Sequence, residues 1–322
     1  MSPEHPAIAV NDLVKRYGEH TVLDGIGFQV PRGTVFALLG ANGAGKTTTV
    51  DILSTLTPPD GGSVSVAGHD LRRSPREIRR SISLTGQYSA VDKMLTGFEN
   101  MLLMADLHHL GKRDRQRRST ELIERFDLES AAHRRSDTYS GGMMRRLDIA
   151  MSLVGRPEVL FLDEPTTGLD PRSRHEMWTV VGELTRDGVT VFLTTQYLDE
   201  ADELADRIAV LDGGRIVAEG TAAELKRLVP GGHIELGFDD PARFRRAVAD
   251  LPECTSHDDR LTIEVDTDGS VASLKAALDS LDPSVTVDRI EIHTPTLDDV
   301  FFALTDADRT ITFEAPREAA TR

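Results

Sequence analysis

The chain has 322 residues, which is enough for one large domain and one small domain. Its formal net charge of −16 argues against a nucleic-acid binder, because phosphate contacts need a basic surface, and against direct electrostatic binding to anionic lipid. Cys254 is the single cysteine, so an intrachain disulfide is excluded and a reducing compartment is favoured. No apolar run approaches the about 20 residues of a membrane span, and the start, MSPEHPAIAV, lacks the pattern of a signal peptide. We therefore expect a soluble cytoplasmic chain.

The first part of the sequence predicts short strands followed by a helical region. Residues 7–40 alternate β-like runs with turns, residues 46–56 have a helical pattern, and residues 62–70 are typical of another short strand. From about 88 to 135 the pattern becomes helical and charged, with few strand signals.

Two continuous apolar runs predict the centre of a sheet. VLFLD at 159–163 and VTVFLTT at 189–195 suit parallel strands that are covered on both faces. RIAVLDGGRIVAEG at 207–220 then predicts a hairpin whose two-residue turn is Gly213-Gly214.

The character of the sequence changes at about 229, where VPGGH indicates a linker. Residues 233–304 then alternate strand and helix patterns, which predicts a small α+β domain over 229–305. The predicted strands of this domain lie at 233–238, 260–265 and 284–292. Thr296 and Asp299 fit a capping box at the start of the last helix, and the polar tail 306–322 is expected to fray.

A glycine-rich segment, GANGAGKTT at 40–48, fits the pattern G-x-x-x-x-G-K-[ST] and lies between a predicted strand and a predicted helix. Its backbone N–H groups and the helix N-terminus form a site for phosphates, in which Lys46 would reach the β- and γ-phosphates and the Thr47 hydroxyl would bind Mg²⁺. The alternative is an ordinary glycine-rich turn. The candidate phosphate-binding residues are Gly40, Asn42, Gly43, Ala44, Gly45, Lys46, Thr47 and Thr48.

Two acidic residues follow the apolar run at 159–163. Asp163 ends that run, where an aspartate suits the Mg²⁺ partner of a phosphate-binding loop. Glu164 comes next, and because side chains alternate along a strand, it can face an attacking water as a general base while Asp163 holds the metal. The alternative is a solvated pair of carboxylates at a strand end.

A second helix start has the sequence Ser-Gly-Gly. YSGGMMRRLDIAMSLVG at 139–155 has an apolar helical face, and Ser140 is a good N-cap. The helix start is either a second anion site or a plain capped helix, and the residues alone favour neither.

The order of these motifs over residues 7–228 resembles the ATP-binding cassettes of ABC transporters. The resemblance implies a P-loop α/β fold with a mixed core sheet, an antiparallel β subdomain and a helical subdomain at about 88–155. It also implies that Tyr17 stacks on adenine and that Gln87 contacts Mg²⁺ and links to a membrane subunit.

The same resemblance gives Ser140, Gly141 and Gly142 the role of the family signature, although Met143 stands where the family usually has glutamine. It implies that two chains pair head to tail, with ATP between the phosphate loop of one chain and the signature helix of the other. Asp170 would belong to the loop that crosses between the subunits.

One branch of the family is matched in particular. TTQYLDEAD, TLDDVFFALTD and the small domain after the cassette resemble the daunorubicin/doxorubicin-type drug-resistance ATP-binding proteins. The resemblance implies an ATPase that drives export of a hydrophobic drug through a separate permease, at the cytoplasmic face of the membrane. Gln196 replaces the family's usual γ-phosphate histidine, so the catalytic candidates are Glu164, Gln196 and Lys46.

Two other functions remain open at this point. A soluble, non-transport ATPase with the same cassette would act on DNA or ribosomes, but such proteins tend to have a long coiled coil, zinc cysteines or two cassettes. A regulatory nucleotide binder with weak hydrolysis is suggested by Gln196 and Met143.

Overall fold

A computed structural model of the chain describes residues 5–86, 89–229, 232–252, 254–267, 270–293 and 295–305. The chain divides into two compact units between Ala222 and Ala223. The domain boundaries expected from the sequence, at 228/229 and at 305/306, stay predictions, and the tail 306–322 lies outside the described residues.

The strands are named here in chain order: β1 (Ile8–Tyr17), β2 (His20–Val30), β3 (Val35–Leu39), β4 (Gly61–Val66), β5 (His69–Asp70), β6 (Ile82–Thr85), β7 (Val159–Asp163), β8 (Thr190–Thr195), β9 (Arg207–Asp212), β10 (Arg215–Gly220), β11 (His233–Gly237), β12 (Thr255–His257), β13 (Thr262–Asp266) and β14 (Arg289–His293).

The helices are α1 (Lys46–Leu53), α2 (Pro75–Ser81), α3 (Gly97–Leu107), α4 (Lys112–Arg125), α5 (Gly141–Ser152), α6 (Pro171–Arg186), α7 (Leu198–Leu204), α8 (Ala222–Lys226), α9 (Pro241–Asp250), α10 (Val271–Asp279) and α11 (Leu297–Thr305). None of the helices in the described ranges has the length and apolar character that a membrane span requires.

The core sheet of the larger unit has, among the described residues, the strand order β10-β9-β3-β8-β7-β6. Its strands are parallel except for β10, which pairs antiparallel with β9 across the turn Gly213-Gly214. Every residue of β3, β7 and β8 is buried, as expected for apolar strands covered on both faces. The predictions of central parallel strands and of a hairpin over 207–220 are confirmed. The carboxyl ends of the parallel strands meet at one edge, which is where a ligand site is expected.

An antiparallel sheet with the order β2-β1-β4-β5 packs on the core sheet through stacked aromatic rings. The ring of Phe28 on β2 lies 5.1 Å from Phe36 on β3, and Phe36 lies 5.6 Å from Phe192 on β8. All three side chains are buried, so this apolar contact fixes the antiparallel sheet beside the phosphate loop.

The helices α3, α4 and α5 fall within the predicted helical subdomain at about 88–155. Thr96 and Glu99 form a capping box at the start of α3: the Thr96 backbone N–H donates to the Glu99 carboxylate at 2.8 Å, and the Glu99 N–H donates to Thr96 Oγ1 at 3.2 Å. Tyr139, just before α5, donates from its hydroxyl to the Ala131 carbonyl at 2.8 Å. The capping box fixes the start of α3, and the Tyr139 hydrogen bond fixes the segment just before α5.

The smaller unit contains a sheet with the order β12-β13-β11-β14 and a core around Phe238, Phe244 and Ile263. The prediction of three strands was wrong in two respects. The short strand β12 has the polar sequence Thr-Ser-His, which carries no apolar alternation. The third predicted strand begins only at Arg289, because Val285 and Val287 pack against the core outside the ladder. The predicted capping box of Thr296 and Asp299 is confirmed.

Candidate active site

The phosphate loop joins the carboxyl end of β3 to α1 through glycines in left-handed conformations. Gly43 has φ +83° and Gly45, the N-cap of α1, has φ +112°, where side-chain-bearing residues are strained. A Cβ added at Gly45 would lie 2.7 Å from the Leu23 side chain, so the loop also needs glycine for space. The loop therefore presents its backbone amides and the start of α1 to an anion.

Lys46 lies at the centre of the loop and is 5% exposed. Its ammonium donates to the carbonyls of Gly40 at 2.8 Å and Ala41 at 3.1 Å, and it lies 3.5 Å from Oε1 of Glu164. Loss of solvation lowers the pKa of Lys46, while the negative charges of Glu164 and Asp163 act in the opposite direction. The ammonium is thus a buried cation in contact with both the Glu164 carboxylate and the carbonyls of the loop.

Asp163, at the end of β7, points towards α1. Its Oδ2 accepts from the Thr47 hydroxyl at 3.1 Å, and its Oδ1 accepts from the Thr194 hydroxyl at 2.5 Å. The aspartate is 4% exposed and is therefore oriented by both hydroxyls. Thr47 and Asp163 together offer one hydroxyl and one carboxylate to a hard cation, a donor set that fits Mg²⁺ when phosphate and water supply the remaining ligands.

Glu164 follows the last residue of β7, so its side-chain direction is set by its own backbone conformation and not by strand alternation. Its backbone has φ +48°, and its N–H donates to the Thr194 side chain at 3.1 Å. The carboxylate faces Lys46 on one side and accepts from the Thr167 hydroxyl at 3.3 Å on the other. The two adjacent carboxylates therefore have separate close partners: Asp163 has the Thr47 and Thr194 hydroxyls, and Glu164 has the Lys46 ammonium and the Thr167 hydroxyl.

Gln196 follows β8 directly and lies at the same sheet edge, since the Gly40 N–H donates to the carbonyl of its neighbour Thr195 at 3.2 Å. A cavity of about 410 Å³ opens at this edge. Its lining comprises the predicted residues Asn42, Gly43, Gly45, Lys46, Thr47, Thr48, Glu164 and Gln196, together with Val22 and Thr167. The phosphate loop, the Glu164 carboxylate and the Gln196 amide of one chain therefore line the same cavity.

Several predicted site residues do not line this cavity. Gly40 and Ala44 belong to the loop, but both are buried. Tyr17 is 51% exposed at the end of β1, with the Lys15 ammonium 5.1 Å from its ring centroid. Gln87 lies outside the described residues.

The predicted signature residues lie beside the Asp170 segment and are not among the lining residues of the cavity. Ser140 caps α5 and accepts from the Met143 N–H at 3.2 Å, which confirms the predicted N-cap. A Cβ at Gly142 would approach Ser173 Oγ to 2.8 Å, and Ser173 in turn donates to Asp170, the N-cap of α6. Hydrogen bonds from Ser173 lower the pKa of the Asp170 carboxyl. The starts of α5 and α6 thus form one surface that is separate from the cavity.

Arg145 is a functional candidate that the sequence analysis missed. It is 9% exposed, and it donates to the carbonyls of Pro165 at 2.9 Å and Gly86 at 3.1 Å. It also pairs with Asp148 at 3.3 Å, and Asp148 accepts from the Ala90 N–H at 3.1 Å. The pair ties the signature helix to the segments after β6 and β7. An Arg and an Asp three apart, beside the apolar face of the same helix, are the signal that could have found it.

Comparison with known proteins gives the family. A family model for ABC transporters matches residues 23–167. A daunorubicin resistance ATP-binding protein of Streptomyces coeruleorubidus is 50% identical, with 98% of this chain and 99% of that protein covered. The daunorubicin/doxorubicin resistance ATP-binding protein of Streptomyces peucetius is 46% identical, with 97% of each covered.

A solved structure of an ATP-binding subunit of an ABC transporter is 31% identical, with a TM-score of 0.61 and coverage of 69% of this chain and 92% of that one. The similarity of sequence and the similarity of fold agree with each other. The chain therefore belongs to the ATP-binding proteins of ABC transporters, in the group of daunorubicin/doxorubicin resistance ATP-binding proteins, and it is an ATPase of that family.

Proposed function

We propose that the chain powers export of a hydrophobic, antibiotic-like compound through a separate membrane permease, and that it works as a pair of chains at the cytoplasmic face of the membrane. The observation that carries the energy-coupling part is the convergence of Lys46, Glu164 and Gln196 on one cavity beside the Thr47–Asp163 pair. The names of the two Streptomyces relatives, which specify drug resistance, support the export of a drug-like compound.

In the proposed mechanism, the loop amides and the Lys46 ammonium bind the phosphates of ATP and stabilise the charge that develops on them. Thr47, Asp163 and Gln87 would hold Mg²⁺, which neutralises phosphate charge when it is bound. Lys46 can exchange its contacts with the Gly40 and Ala41 carbonyls for phosphate oxygens without leaving the loop.

Hydrolysis needs a water molecule that attacks the γ-phosphorus while ADP leaves. The Glu164 carboxylate accepts the proton of this water, and the Lys46 and Thr167 contacts keep the carboxylate at the cavity wall. Gln196 can donate to a γ-phosphate oxygen and accept from the water through the same amide, and it carries no charge to lose.

We expect Gln196→Ala to slow steady-state hydrolysis by about 10- to 100-fold, the effect of losing one or two neutral hydrogen bonds in a dry site. Gln196→His should keep activity and gain a pH dependence between about 5 and 8, because the imidazole titrates there. Fluorescent-ATP binding should be unchanged in both variants, since the adenine and the α- and β-phosphates are held elsewhere. Wild-type turnover in Gln196→Ala would leave the amide without a catalytic role.

Pairing of two chains is proposed because the surface of Ser140 and Asp170 lies outside the cavity of its own chain. We expect the Glu164→Gln chain to sediment as a dimer with ATP and Mg²⁺, and as a monomer or weak dimer without nucleotide. Adding Ser140→Arg should return the ATP-bound chain to the monomer, because the bulky cation blocks the cap. A sedimentation coefficient that is the same with and without ATP at high protein concentration would contradict the shared site.

The transport role can be tested in the native host. We expect deletion of the gene to raise the accumulation of a fluorescent anthracycline, and the wild-type chain but not Lys46→Ala to restore efflux. A tagged chain should co-purify from membranes with a protein that has about six apolar spans of roughly 20 residues. Unchanged accumulation together with recovery in the soluble fraction alone would favour a non-transport ATPase.

A further inference from the structure

A polar contact between α6 and α7 lies directly beside Gln196. Arg174 on α6 donates from Nη1 to Asp199 Oδ2 at 2.8 Å, and its guanidinium lies 4.8 Å from the centroid of the Tyr197 ring. Tyr197 follows Gln196 in the chain, and its N–H donates to Thr195 Oγ1 at 2.9 Å. Arg174 therefore holds, from another helix, the segment that carries the strand-end amide.

A second contact of the same two helices is fully buried. Glu200 on α7 is 0% exposed, and within the described residues neither of its carboxyl oxygens has a hydrogen-bond partner at close geometry. The same holds for Thr166 Oγ1 and for Nε1 of Trp178 on α6, among the described parts of the chain. Burial raises the pKa of Glu200, and looser hydrogen bonds from the side chains of Thr195, Thr166 and Trp178 oppose that rise, so all four groups lie in one place.

The position of this cluster links the two catalytic candidates. Thr166 follows Glu164 by two residues, and Thr195 immediately precedes Gln196. A carboxyl group between them can bridge both segments, because a protonated carboxylic acid both donates and accepts. Poorly paired polar atoms in a closed site are costly, so the cluster favours a closer arrangement in which their hydrogen bonds shorten.

We propose that Arg174 and Glu200 are positioning residues that set Gln196 against Glu164 for hydrolysis. We call the contact formed by Arg174, Trp178, Tyr197, Asp199 and Glu200 the α6–α7 seam. The inference rests on the proposed role of Gln196 in ATP hydrolysis. It also extends that role. Because α6 begins at Asp170, which lies on the surface proposed to meet a second chain, the α6–α7 seam would connect that surface to Gln196.

The first test compares two arginines of α6. Arg174→Met should lower kcat about 10-fold with the KM for ATP within about twofold, because a misplaced catalytic group slows chemistry more than it weakens binding. Arg186→Met is the matched control, since Arg186 also carries one charge on α6 but is exposed at the opposite end of the helix from Asp170. Equal effects of the two substitutions would overturn the proposal.

The second test is a double-mutant cycle with Gln196→Ala. If Arg174 acts through Gln196, Arg174→Met should cause no further loss of kcat in the Gln196→Ala background. Independent losses that multiply would show that Arg174 acts elsewhere and would overturn the proposal. A wild-type chain without hydrolysis would refute the proposed function itself, so the two failures are distinguishable.

The third test uses Trp178, the single tryptophan of the sequence, as a spectroscopic probe of the seam. Glu200→Leu should shift the emission of Trp178 and lower kcat about 10-fold, while Glu200→Gln should restore both, because the amide again donates and accepts. Arg186→Met should leave the emission unchanged. If Glu200→Leu does not fold, the proposal is tested by the kcat of Glu200→Gln, which should stay near the wild-type value, and by the double-mutant cycle of Arg174 with Gln196. Wild-type kcat in a folded Glu200→Leu chain would overturn the role of Glu200.

Discussion

Replacement of Lys46 by alanine is expected to abolish ATP turnover. Lys46 is the lysine of the phosphate loop, and its ammonium lies within 3.5 Å of Glu164 and 2.8 Å of the Gly40 carbonyl. Without it, the loop has amides but no full positive charge for the β- and γ-phosphates. The loss of transition-state stabilisation should be several kcal/mol, so hydrolysis should fall by about 10³-fold or more. The measurement is phosphate release by the purified chain with ATP and Mg²⁺.

The control for this substitution is Lys93→Ala, which removes an exposed lysine far along the chain from the loop. Far-UV circular dichroism of both variants should match the wild type, because α1 keeps the loop geometry that the glycines impose. Near-normal hydrolysis by a folded Lys46→Ala chain would show that the phosphate site has been assigned to the wrong residues.

The parts of the site that the sequence predicted are those whose chemistry is local. The loop at 40–48 and the acidic pair after 159–163 are contiguous segments between a strand and its next element, so their partners follow from strand direction. Ser140 was also predictable, because a cap acts on its own helix. The central strands β7 and β8 were predictable because their apolar runs fit burial on both faces.

The parts that were missed depend on contacts between distant segments. Arg145 bonds to Gly86 and Pro165, and nothing near Arg145 in sequence indicates either partner. Glu200 lies in the acidic run LDEADEL, whose composition is typical of a solvated helix face, yet its side chain is fully buried. Charge patterning reports the average environment of a segment, whereas the packing of α7 on α6 decides the burial of one carboxyl.

Glu164→Gln is expected to lower kcat by about 10²- to 10⁴-fold, the range attributed to general-base catalysis. The amide keeps the shape of the side chain and can still accept from the Thr167 hydroxyl, but it cannot take a proton from water. Lys46 loses a partner 3.5 Å away and becomes freer to meet the phosphates, so the affinity for ATP should stay the same or rise. The measurement is kcat together with the Kd for ATP.

The contrast with other substitutions makes this assignment specific. Glu158→Gln removes an exposed glutamate just before β7 that pairs with Arg32 at 2.8 Å. It should leave kcat unchanged, because it lies at the opposite end of β7 from Asp163 and is not among the lining residues of the cavity. Gln196→Ala should cost less than Glu164→Gln, since an amide that orients water contributes hydrogen bonds but no proton transfer. The reverse order of the two effects, with kcat of Glu164→Gln near wild type, would identify Gln196 as the dominant group and remove Glu164 from the role of base.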